Sequence, residues 1–143
     1  MCTIHFGSGS EFLTLRIHGR VKPDSASYWD ANWLHCSAEV SAGAFSGNVE
    51  WQLRNEDLAR FMNAIESLPR RVGEAVLDTG DGWLDVRVIR DDQGQIQALC
   101  QIEDQQVGGK ALECRLFLDE TVIPQIHAEL REVLERFPVI RDG

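Results

Sequence analysis

D-S-A-S-Y-W-D-A-N-W-L, residues Asp24–Leu34, is the aromatic centre of a 143-residue sequence and the stretch around which its fold is predicted to organise. It carries the only Tyr and two of the four Trp, with Asp30 and Asn32 set between the indole rings. Aromatic rings bring large apolar area, and their polar tips bond nearby carboxylates or carbonyls. Trp29, Asp30, Asn32 and Trp33 are therefore predicted to form a structural anchor. The alternative is a ligand-stacking or partner-facing role for the rings.

Around this stretch, apolar and polar residues alternate with the period of strands that bury one face. Strands are predicted over Thr3–Phe6, Phe12–Arg20, Trp33–Ala42 and Val49–Leu53. The last two are separated by a segment that contains Gly43 and Gly47, which indicates an antiparallel hairpin.

The period then changes to that of a helix whose apolar stripe runs from Leu58 to Leu68 and ends before Pro69. A meander of short strands is predicted next, at Glu74–Asp78, Trp83–Arg90, Ile96–Ile102 and Leu112–Leu118, with the last turn at Gln105–Lys110. A second apolar stripe, Ile123 to Phe137, predicts a C-terminal helix.

Strands in runs, with two helices set apart, predict the α+β class. We expect one domain over residues 1–143, in which an antiparallel sheet of about six to seven strands is meander- or sandwich-like. The C-terminal helix is predicted to pack on this sheet.

The charge balance narrows the choice of partner. Fourteen Lys and Arg against 23 Asp and Glu give a net charge of -9. Such a chain is a poor ligand for nucleic acid or for an anionic membrane surface, and it suits a basic partner. Most of the acid excess lies within residues 74–106, which indicates either solvated turns or an acidic docking surface.

The docking interpretation predicts specific contacts. Asp81, Asp85, Asp91 and Asp92 are the candidate partner-binding acids, with Trp83 as the aromatic anchor typical of interface centres. On the polar face of the same strands, Trp83, Ile89, Leu99 and Phe117 interrupt the charged residues. Such a cluster is typical of a binding patch, and also of a sheet face that a helix covers.

No motif predicts catalysis, a metal site or a cofactor. The four His lack metal-ligand spacing, and G-S-G-S at Gly7–Ser10 lacks the Lys of a phosphate loop. The four Cys are far apart, without C-x-x-C, although their even number also permits disulfides. With no signal-peptide pattern and no membrane-spanning apolar run, a reduced cytoplasmic protein is the simplest interpretation.

The order of several short motifs carries a family resemblance. These motifs are Y-W-D-A-N-W-L (28–34), G-A-F-S-G (43–47), E-D-L-A-R-F (56–61) and L-F-L-D-E-T (116–121). From about Asp24 to Leu134 the chain resembles the WapI-type immunity proteins, small cytosolic proteins of bacterial polymorphic toxin loci. The resemblance implies a protein without catalytic activity that binds a cognate toxin domain, often a nuclease, and blocks it.

Two other functions stay open at this point. One is a small-molecule-binding domain or enzyme with a cavity between sheet and helix, lined by Trp29, Trp33 and Trp51. The other is a structural module that forms homo-oligomers.

Overall fold

The computed structural model describes residues 1–25, 27–68, 72–105 and 109–141. Pro69 and half of the predicted turn Gln105–Lys110 lie outside these ranges. The described residues form eight strands and three helices, which confirms the α+β class. In chain order these are β1 Cys2–Ser8, β2 Glu11–Arg20, α1 Tyr28–Ala31, β3 Trp33–Ala42, β4 Phe45–Arg54, α2 Asn55–Ser67, β5 Gly73–Asp78, β6 Leu84–Arg90, β7 Ile96–Asp104, β8 Lys110–Leu118 and α3 Val122–Arg136.

The strands form two sheets of four, each an antiparallel meander in chain order. The first sheet is β1-β2-β3-β4 and the second sheet is β5-β6-β7-β8. The division falls at α2, because this helix carries the chain from the end of one meander to the start of the other. Of the two predicted arrangements, a single meander or a sandwich-like pair of sheets, the described residues adopt the second.

One buried core joins the two sheets and the two long helices. The register places apolar side chains opposite each other on the inner face of each sheet. Leu15 lies between Ile4 and Ala38 in the first sheet, and Ala98 lies between Val88 and Leu116 in the second. Each fully buried Leu, Ile or Val side chain contributes about 1.5–3 kcal/mol to folding.

The long helices close one side of the sandwich. α3 packs against α2 and against β1, an edge strand of the first sheet. α2 packs against β5, an edge strand of the second sheet. The backbone N–H of His5 in β1 donates to Glu129 of α3 at 3.0 Å, so the helix satisfies a donor on the open edge of the sheet. The predicted packing of the C-terminal helix on the sheet is confirmed.

The aromatic stretch anchors the fold through Asn32, whose side chain is 0% exposed and hydrogen-bonds to Ile140 in the C-terminal tail. The rings of the stretch lie outside the core. Trp29 is 55% exposed, Trp33 is half-buried, and the guanidinium of Arg54 lies 4.0 Å from one ring and 5.5 Å from the other. The anchor role predicted for the two Trp is thus carried by the small amide between them.

Asp30 and α1 complete this region. Asp30 is half-buried and forms an ion pair with Lys22 at 3.9 Å. The guanidinium of Arg20 donates to the carbonyl of Ala31 at the end of α1 and to the carbonyl of Pro138 in the tail. The aromatic stretch, the end of β2 and the C-terminal tail are therefore joined by hydrogen bonds.

Candidate functional site

The outer face of the second sheet presents ordered rows of side chains, which follow from its register. The acidic row consists of Asp78, Asp85, Gln101 and Glu113, which lie opposite one another on β5, β6, β7 and β8. The arginine row, two residues along each strand, consists of Val76, Arg87, Leu99 and Arg115. The third row consists of Glu74, Ile89, Gln97 and Phe117.

The acidic row brings like charges together. Asp78 and Asp85 occupy directly opposed positions on neighbouring strands, an arrangement that destabilises a sheet. Arg87 offsets part of this repulsion, with its Nε 3.5 Å from Asp85 and its NH1 3.7 Å from Glu74. Glu113, in contrast, is exposed and faces the neutral Gln101. The row therefore carries three carboxylates across one sheet.

The acidic and arginine rows surround a depression of about 480 Å³. Its lining includes Asp85 and Glu113 on one side, Arg87 and Arg115 on the other, and the half-buried Leu99 between them. At the third row, Phe117 is 64% exposed. The surface thus combines charges of both signs with apolar contact area, which is the composition of a protein-binding patch.

The alternative interpretation, that a helix covers this face, is wrong for Phe117. In the described part of the chain, α3 packs against β1 and α2 packs against β5. The ring of Phe117 is left open to solvent on β8.

The four acids predicted to contact a partner divide between two ends of β6. Asp85 lies in the acidic row, and Asp81 lies in the turn that precedes it. Asp91 and Asp92 lie in the turn beyond Arg90, about 20 Å away along the seven residues of β6. The two pairs of acids therefore lie at opposite ends of the strand.

Two of these acids have structural hydrogen bonds. Asp81 accepts from Trp51 Nε1 at 3.0 Å and from the hydroxyl of Thr79 at 3.3 Å. Asp91 accepts from the backbone N–H groups of Gln93 and Gln95, both at 2.9 Å, which closes the turn between β6 and β7. Asp92 is exposed in the same turn. Turn formation thus explains why an acid stands at position 91, and it explains in part why one stands at position 81.

Trp83 is the clear error among the predicted contact residues. Its side chain is 0% exposed, and its indole Nε1 donates to the carbonyl of Gln52 at 2.9 Å. The alternation of β6 begins only at Leu84, because the preceding turn passes through Gly80 and Gly82, both with positive φ. The turn directs the ring into the core beneath β4, so Trp83 is a structural residue and presents no surface to a partner.

Arg115 and Asp78 belong to the surface but were absent from the predicted contact set. Each strand's pattern showed which residues face outwards, but the rows appear only when strands are paired in register. The signal that could have found them is turn length, because short turns fix which residues of neighbouring strands lie opposite each other.

The predicted cavity lined by three Trp does not form around a shared space. Trp29 and Trp33 flank Arg54, whose guanidinium occupies the position a ligand would take between them. Trp51 instead donates to Asp81, in the turn between β5 and β6. The three indoles therefore do not converge on one pocket.

Neither a metal site nor a membrane-spanning helix is found in the described ranges of the chain. No group of three or more His, Cys, Asp or Glu within them is arranged to hold a metal ion. No helix within them is long and apolar enough to cross a membrane.

Comparison with known proteins identifies the family. The chain matches the Immunity protein WapI-like family over residues 3–138, from β1 to just beyond α3. This protein therefore belongs to the WapI-like immunity protein family, and the membership predicted from its motifs is confirmed. No curated protein and no solved structure matches the chain.

Proposed function

We propose that this protein neutralises a cognate toxin domain by binding it, without making or breaking covalent bonds. The observation that carries the proposal is its membership of an immunity protein family over residues 3–138. Such a protein would act in the cytoplasm of the cell that produces the toxin.

The contact surface we propose is the acidic row together with the depression and Phe117. Three carboxylates, Asp78, Asp85 and Glu113, lie on one outer face that the helices leave open. Asp81, in the turn between β5 and β6, adds a fourth carboxylate near the Asp78–Asp85 end of this row. A basic partner would be steered towards this face, and the net charge of -9 would strengthen the attraction.

The proposed partner is a basic toxin domain such as a nuclease, which needs positive charge to hold its own substrate. Lysines or arginines of the toxin would pair with the acidic row. Leu99 in the depression and Phe117 beside it would supply apolar contacts. Arg87 and Arg115 would donate hydrogen bonds to an acidic group of the toxin and fix its orientation.

Binding and protection can be tested together. The toxin to use is the C-terminal domain of a large secreted protein encoded immediately upstream. Its expression alone should arrest growth, and co-expression of this chain should restore growth. Calorimetry with the purified pair should show a one-to-one complex. Absence of both protection and binding at micromolar concentrations would overturn the proposal.

A further inference from the structure

Two cysteines face each other across the second sheet. Cys100 of β7 and Cys114 of β8 occupy directly opposed positions, and both are free thiols. Opposed residues in antiparallel strands have Cα atoms about 4.5–5.5 Å apart, within the range that a disulfide spans. The register therefore places the two cysteines at a backbone separation that a disulfide can span.

The two thiols differ in access. Cys100 is 4% exposed, whereas Cys114 is half-buried and lines a second depression, of about 530 Å³. This depression lies between the β3–β4 turn at Ala42–Phe45 and the start of β8, and Glu11 forms part of its wall. A small reagent can thus reach Cys114 from the β8 edge while Cys100 stays behind it.

Their hydrogen bond makes the pair chemically unequal. The thiol of Cys100 donates to the sulfur of Cys114, which lowers the pKa of Cys114 despite burial and the nearby carboxylate of Glu11. The same hydrogen bond, followed by burial, raises the pKa of Cys100. Since the thiolate is the nucleophile and Cys114 is the more exposed of the two sulfurs, Cys114 is suited to attack and Cys100 to follow.

The other two cysteines provide an internal contrast. Cys2 and Cys36 are 2% and 0% exposed and lie in the first sheet, separated from each other by Ile17 of β2. Burial also raises the pKa of Cys36. Neither has a cysteine on the neighbouring strand, so neither is placed to form a disulfide.

We propose that Cys100 and Cys114 are a dithiol site that small-molecule disulfides oxidise to a cross-strand disulfide. The Cys114 thiolate attacks one sulfur of the reagent, its S–S bond breaks, and one thiolate leaves. Cys100 then loses its proton to water and attacks Cys114, which displaces the second thiolate. Two protein thiols are oxidised, and one reagent disulfide is reduced to two thiols.

This proposal goes beyond toxin binding and does not depend on it. The disulfide would join β7 to β8 on the inner side of the sheet that carries the acidic row. Both cysteines also contribute to the lining of the depression between the acidic and arginine rows.

Peptide mapping of the full chain tests the site directly. The native protein is incubated with oxidised glutathione, alkylated and digested with trypsin. Cleavage after Arg90, Lys110 and Arg115 separates Cys100, in peptide 91–110, from Cys114, in peptide 111–115. We expect these peptides linked by a disulfide, with a protein mass about 2 Da lower. A protein that stays reduced, keeps glutathione on Cys114, or links other cysteines would overturn the proposal.

Two variants test the order of the steps. Cys100→Ser should accumulate glutathione on Cys114, because the resolving thiol is absent. Cys114→Ser should leave Cys100 unmodified over the same time. The doubly substituted protein Cys2→Ser with Cys36→Ser is the control and should form the linked peptides at the wild-type rate. Modification of Cys100 in the Cys114→Ser protein at the wild-type rate would contradict the assigned order.

Discussion

The side chain of Asn32 binds both backbone polar groups of Ile140, as a neighbouring strand would. Its Nδ2 donates to the carbonyl of Ile140 at 2.9 Å, and its Oδ1 accepts from the N–H of Ile140 at 2.8 Å. A second amide, that of Asn55, donates to the carbonyl of Phe137 at 3.0 Å. The residues after α3 are thereby fixed to the aromatic stretch and to the start of α2.

Replacement of Asn32 should lower the stability of the folded protein. Asn32→Ala removes two hydrogen bonds from a fully buried side chain, and we expect a loss of about 2–3 kcal/mol in the free energy of unfolding. Urea denaturation measures this loss. Asn32→Asp should lose at least as much, because it buries a carboxylate whose second oxygen faces the carbonyl of Ile140. Asn63→Ala, at an exposed position of α2, is the control and should change stability by less than about 0.5 kcal/mol.

Substitution of the two tryptophans at opposite extremes of exposure should cost different amounts of stability. Trp83→Phe leaves the carbonyl of Gln52 without its donor and opens a gap in the core, at a cost of about 2–4 kcal/mol. Trp29→Phe alters a ring that is 55% exposed and should cost less than about 1 kcal/mol. Thermal unfolding of both variants decides the point, and equal losses would show that Trp29 also supports the core.

Asp57 should give the protein a measurable dependence on pH. Burial raises its pKa above the ordinary 3.8, although Arg60 acts in the opposite direction. The folded state therefore holds this proton more tightly than the unfolded state, so the contribution of Asp57 to stability falls as pH rises through its folded pKa. Asp57→Asn removes this dependence.

Denaturation of both proteins across mildly acidic to neutral pH provides the test. The free energy of unfolding of the Asp57→Asn variant, minus that of the wild type, should rise with pH and then level off. Asp92→Asn, at an exposed turn, is the control for simple loss of a charge. A difference that falls as pH rises would contradict the burial effect.

Local structure was predictable here because alternation and helical period are local signals. The strand predicted at Trp33–Ala42 has those bounds in the structure, and the stripe from Leu58 to Leu68 lies in α2 and at its C-terminal end. The division into two sheets was harder to predict from the sequence, because it depends on where α2 places β5 relative to β4.

The candidate site was only partly predictable for a related reason. The outward direction of Asp85 follows from period 2, but the rows that bring it beside Glu113 on β8 arise from pairing across β7. Trp83 was misplaced because the period was extended one residue too far, into a turn shaped by Gly82. Asp91 looked like a contact residue because carboxylates that close turns and carboxylates that bind partners have the same sequence signature.

Association with the toxin domain should depend on salt. If a negative face steers a basic partner, the association rate should fall at least about tenfold between low salt and 0.5 M NaCl, while the dissociation rate changes less. Stopped-flow fluorescence measures both rates. An association rate that is insensitive to salt would argue that apolar contacts, such as those of Phe117, dominate the encounter.

The most direct test of the account is the dissociation constant of the toxin complex for two charge-matched double variants. Asp85→Asn with Glu113→Gln removes two carboxylates from the acidic row, whereas Asp24→Asn with Glu132→Gln removes two exposed carboxylates elsewhere. Titration calorimetry should show at least about tenfold weaker binding for the first pair and less than about twofold for the second. Equal effects of the two pairs, or no effect of the first, would contradict the proposal that this sheet face holds the toxin.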